Sequence, residues 1–213
     1  MKKSVLVGII SVAAASAFGT PGFISLDNYN SNLNPLVTYG FNIPANGVSG
    51  PVGTPGAGLD SDWTAGIYFV VGTPSLIDPT GSGIPNATLA LGTGPGSTAQ
   101  FEPVIGPYGS SLGQFANLQE PQGFNTGGVG GDTITAEVIA YPTSAGSYAN
   151  ALYRGHSAPF TMPTVNVMTP PELADVGDYM PPFSVYAVPE PSTLALAGLG
   201  ASLLMVWVRR KNF

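Results

Sequence analysis

The sequence predicts a mainly β domain, an antiparallel β-sandwich with long Gly/Pro-rich loops. Three observations carry this expectation. Short runs of β-branched and aromatic residues recur at irregular intervals between Gly, Pro and Asn. Gly and Pro number 29 and 21 of 213 residues, which breaks the chain too often for long helices. No long stretch carries apolar residues at helical spacing, and no repeat of fixed length suggests a solenoid or propeller.

The elements can be justified in chain order. GFISLDNY and PLVTYGFNI are β-rich and bounded by turn formers, and SGPVGTPGAG between them and the next strand is a loop without periodicity. TAGIYFVVG places Ile67, Phe69 and Val71 on one face and Tyr68 and Val70 on the other, so both faces read as covered. NATLALG and STAQFEPV are further strand candidates. DTITAEVIAY alternates most clearly. Ile134, Ala136, Val138 and Ala140 share one face, while Thr133, Thr135, Glu137 and Ile139 share the other, the pattern of a half-buried strand with Glu137 toward solvent. APFTMPTVNVM and FSVYAV complete a set of seven to nine strands. Only PPELADVGDY suggests a helical turn, begun by Pro171 with Glu172 and Asp175 near its N-terminus.

Charge and composition remove several function classes. The six basic residues are Lys2, Lys3, Arg154, Arg209, Arg210 and Lys211. Between Phe18 and Val188 eleven acids face the single base Arg154, so nucleic acid is not an expected partner, since binding phosphates needs clustered Lys and Arg. The absence of cysteine excludes disulfides, thiol catalysis and cysteine-ligated metal.

The basic residues flank two apolar runs. MKKSVLVGIISVAAASAFG has two lysines, an apolar stretch and the small residues Ala15 and Ala17, the layout of a signal peptide spanning residues 1–17 as an N-terminal helix, cleaved by signal peptidase after Ala17. Residues 18–188 then form the exported domain. Residues 192–208 are uncharged and span about 25 Å as a helix, short for a bilayer core of about 30 Å but within what flanks and lipid accommodate. Trp207 suits the interface, and Arg209, Arg210 and Lys211 form a cytoplasmic membrane stop. Just before this C-terminal transmembrane helix, Pro189-Glu190-Pro191 is held extended by its prolines, a form that a processing enzyme's cleft can bind.

Val188-Pro189-Glu190-Pro191-Ser192-Thr193, the apolar run from Leu194 to Val208 and the Arg209-Arg210-Lys211 cluster together resemble a PEP-CTERM sorting signal. The resemblance covers residues 189–213, roughly the last tenth of the chain. It implies recognition by an exosortase, a transient stay in the inner membrane through the C-terminal helix, removal of the tail, and passage to the cell surface or the extracellular space. It also implies company with exopolysaccharide, and leaves the exported domain's activity open.

Residues in the middle of the chain offer little catalytic pattern. His156 is the only histidine, in Arg154-Gly155-His156-Ser157, and reads as a loop residue near Arg154. Neither a GxSxG elbow nor an HExxH zinc motif is present. Asp60 and Asp62 offer oxygen ligands for calcium, but without an EF-type loop they read first as an Asx turn. Trp63, Tyr68, Tyr141, Tyr148 and Tyr153 suit either a sugar-stacking platform or a core.

The sequence therefore points to a non-enzymatic, structural or adhesive surface or matrix protein without cofactor or dedicated metal. The alternatives are a permanently anchored periplasmic domain and a secreted carbohydrate-binding module or glycoside hydrolase built on paired carboxylates.

Overall fold

A computed structural model describes residues 20–29, 33, 35–102, 111–117, 123–167 and 173–188, with 104–105 and 108–109 described as backbone. The expected signal helix (1–17), its Ala15–Ala17 cleavage site, the sorting tripeptide and the transmembrane segment (192–208) lie outside the described residues. Among the described residues no helix is long and apolar enough to cross a membrane.

The described residues are mainly β in several sheets, with almost no helix among them. Strands β1 (Pro21–Ser25), β2 (Val37–Tyr39) and β3 (Trp63–Val71) come first. Then follow β4 (Ala90–Leu91), β5 (Thr98–Phe101), β6 (Val104–Ile105), β7 (Tyr108–Gly109) and β8 (Phe115–Ala116). The last five are β9 (Gly123–Val129), β10 (Thr133–Pro142), β11 (Tyr153–His156), β12 (Phe160–Pro163) and β13 (Phe183–Ala187). A nine-stranded sheet has the order β2-β13-β11-β10-β3-β5-β8, with β12 also on β10 and β4 also on β3. Two-stranded sheets, β1-β9 and β6-β7, stand beside it. The large sheet is not wholly antiparallel, because β13 pairs with β2 in parallel.

β3 and β10 are the spine. They run antiparallel from Ile134↔Val71 to Pro142↔Trp63, so the two sequence alternations are in phase. Trp63, Ala65 and Ile67 from β3 join Ile134, Ala136, Val138 and Ala140 from β10 on one fully buried face. Their core extends to Val37, Tyr39, Phe101, Phe115, Phe160, Met162 and Val185. The β1-β9 ribbon closes this face: Ile24 and Phe124 enter the core, and Phe124 meets Phe69 edge-on at 5.3 Å. Trp63 meets Tyr39 edge-on at 5.9 Å and donates its indole hydrogen to the Ala45 carbonyl at 2.7 Å.

The other edge of β10 is shared. β12 pairs with its first half, from Thr133↔Pro163 to Ala136↔Phe160, and β11 pairs with its second half at Ile139↔His156 and Ala140↔Gly155. Ser157 bridges the junction, donating its N–H to the Val138 carbonyl at 2.9 Å and accepting the Val138 N–H on Oγ at 3.0 Å. In PPELADVGDY the helical turn is a three-residue 3-10 segment, Val176–Asp178, led by Asp175; Pro171 and Glu172 lie outside the described residues.

Candidate functional site

The second face of β10 differs from its sequence reading. Glu137 is fully buried, not solvent-facing, and β10 is covered on both sides. The cover is non-local. Glu137 lies opposite Tyr68 on β3, and the segment between β3 and β4 folds back over this face. Gly81 makes an isolated bridge with His156, and the His156 N–H donates to the Gly81 carbonyl at 2.8 Å.

Arg154 fixes the cover. Its Nε donates to the Ser82 carbonyl at 2.8 Å, and one terminal nitrogen donates to the Tyr148 and Ala149 carbonyls, each at 2.9 Å. The guanidinium sits 5.0 Å from the Tyr148 ring centre, and the Tyr148 hydroxyl donates to the Gly83 carbonyl at 2.8 Å. A guanidinium satisfied by carbonyls while stacked on a ring can be buried without a carboxylate partner. Burial pushes the Tyr148 hydroxyl pKa up.

His156 likewise departs from expectation. It is strand residue, not loop, and only 2% exposed. Register explains its neighbour: His156 opposes Ile139, so its side chain shares a face with Glu137 two residues earlier, within diagonal reach. His156 Nδ1 lies 3.3 Å from a Glu137 oxygen and 3.0 Å from the Ser157 carbonyl. Burial works to lower the imidazole pKa, but Glu137, the Ser157 carbonyl and Asp78 outweigh it, and the net direction is up. Neither Glu137 carboxylate oxygen accepts a hydrogen bond. Asp78, half-buried on the covering segment, completes a group in which Asp78, Glu137 and His156 each place one ligand atom within 4.8 Å of the others.

The remaining sequence candidates are distributed elsewhere. Asp60 Oδ1 accepts the Asp62 N–H at 3.1 Å, an Asx turn ahead of β3. Trp63 belongs to the core, and Tyr153 packs against it. Tyr148 is buried with Tyr68 and Tyr141 set edge-on to it at 6.4 and 6.3 Å. Their rings therefore meet one another and do not form a flat platform. A separate open groove of about 340 Å³ is lined by Ser61, Thr64, Thr98, Gln100, Asn117 and Thr143. Its described lining carries hydroxyls and amides, with no charged side chain among the described residues.

The last described strand reaches the sorting segment. β13 is held by β2 on one side and β11 on the other, and the N–H of Val188, the next residue after Ala187, donates to the Leu152 carbonyl at 2.7 Å. A β domain whose last described strand is followed in the sequence by Pro189-Glu190-Pro191, an apolar run and a basic cluster has the layout of a sorted cargo protein. The particular signal is a PEP-CTERM protein-sorting motif, matched over residues 187–211. It is consistent with an exosortase substrate and implies export with a membrane-associated step. No curated protein and no solved structure matches the chain.

Proposed function

We propose that this is a non-enzymatic surface or extracellular-matrix protein, held briefly in the inner membrane, processed at Pro189-Glu190-Pro191 and then released to a structural or adhesive role beside exopolysaccharide. The observation that carries the reading is the sorting motif itself, placed directly after a strand integral to the sheet. Signal peptidase acts at Ala17, and Arg209, Arg210 and Lys211 keep the tail from slipping through the membrane.

Two features support a structural role for the domain. The sole histidine is under the covering segment, and the neighbouring Ser157 hydroxyl accepts the Val138 N–H, so this pair is not laid out as an exposed base beside a nucleophile. The hydroxyl- and amide-lined groove suits a neutral polyol chain, which hydrogen-bonds without needing a charge.

Replacing Pro189-Glu190-Pro191 by three alanines tests the sorting step in the native host. The reading expects the variant to accumulate in the membrane fraction and to vanish from the external fraction. Unchanged external delivery would refute it.

A further inference from the structure

The Glu137 pocket presents an electrostatic problem that the protein's own groups do not solve. Both Glu137 oxygens are buried without a hydrogen bond. Burying an ionised carboxylate is costly unless it is paired and hydrogen-bonded. The adjacent Nδ1 of His156 lies 3.3 Å away, but the Ser157 carbonyl competes for it at 3.0 Å. A second carboxylate, Asp78, converges on the same point. Two carboxylates thus converge on a single imidazole. Arg154, the nearby cation, directs its donors to the carbonyls of Ser82, Tyr148 and Ala149.

We propose that Asp78, Glu137 and His156 form a structural binding site for a divalent transition-metal cation of the zinc type. One nitrogen and two carboxylate oxygens within 4.8 Å of one another are a donor set that such an ion accepts. The imidazole distinguishes it from a calcium or magnesium site, which takes oxygen ligands throughout. An ion there would bond directly to the buried Glu137 carboxylate, whose oxygens have the His156 Nδ1 at 3.3 Å but accept no hydrogen bond. Half-buried Asp78 marks the side from which the ion enters. The ion ties the segment between β3 and β4 to the sheet: Asp78 comes from that segment, Glu137 from β10 and His156 from β11. This pinning is independent of the sorting step.

The test uses the full chain without a polyhistidine tag, purified in detergent, stripped with EDTA and dialysed against Zn²⁺. Zinc per chain is then measured by mass spectrometry of the metal. One tightly held zinc per chain is expected, accompanied by a rise in the unfolding midpoint. Even outer-shell changes at metal sites cost about 10–100-fold in affinity, so Asp78→Asn, Glu137→Gln and His156→Gln should each weaken binding by at least about tenfold. Asp78→Asn decides the matter if the two sheet variants fail to fold, because its side chain is on the covering segment. No stoichiometric zinc, or zinc held equally by Asp78→Asn, overturns the proposal. Uptake of Ca²⁺ in place of Zn²⁺ overturns the imidazole's part in it.

Discussion

Asp175→Asn should stabilise the protein at neutral pH and have little effect at pH 4. Asp175 leads the 3-10 turn and forms a parallel bridge with Ser25 of β1. Burial, then the nearby Asp27 and Asp178, push its pKa from the ordinary 3.8 up to about 6, against a smaller opposing hydrogen bond from Ser25. Folding raises this carboxyl's pKa, so the neutral acid is the form the fold prefers. Well below 3.8 both folded and unfolded chains are protonated and no penalty exists. As pH rises from about 4 to 6 the unfolded chain ionises freely, while the folded chain does so against its surroundings. The full interval between the two values corresponds to about 3 kcal/mol. The side chain is only half-buried, and solvent screening reduces this to about 1 kcal/mol. For a chain of this size that is roughly 2–4 °C in unfolding midpoint. Thermal unfolding of both proteins across pH 4 to 8 should show the Asn variant's advantage growing through this window and levelling off above about pH 6.5. An Asn variant less stable than the parent at pH 7.5 would refute the reasoning and make the Ser25 contact dominant.

Two further substitutions probe the sheet and its cover. In Gly155→Ala the new Cβ would collide with the Ser184 carbonyl oxygen across the β11–β13 pair. A loss of about 1–3 kcal/mol is expected in urea unfolding, with faster proteolysis near Ala187, because β13 depends on that pairing. Arg154→Met keeps most of the stem but removes the donors to Ser82, Tyr148 and Ala149. Each lost charge-assisted bond exposes a carbonyl, so a total loss of about 2–4 kcal/mol is expected. Amide hydrogen exchange should speed up first at residues 78–83.

Much of the β spine was legible in the sequence. DTITAEVIAY and TAGIYFVVG correspond to β10 and β3, because period-two alternation reports the face that one sheet buries. The same rule misread Glu137: Thr133, Thr135 and Glu137 on alternate positions look like a wet face, while the segment that covers Glu137 lies more than fifty residues earlier. His156 was missed as a strand residue because YRGH is short and lacks alternation. β9 was missed because GFNTGGV has the composition of a turn, although it forms seven residues of ribbon. The parallel pairing of β2 with β13 joins segments near opposite ends of the domain and leaves no local trace. The sole histidine and Glu137 were both visible as residue types. Only the Ile139↔His156 register brings them together.

Intact mass measured on the protein from its native host, with membrane and external fractions kept apart, tests the central claim most directly. The account predicts an external species beginning after Ala17 and ending near Pro191 or Ser192, with any surplus mass marking a group attached there. A protein confined to the membrane fraction, with residues through Phe213 still present, would contradict it.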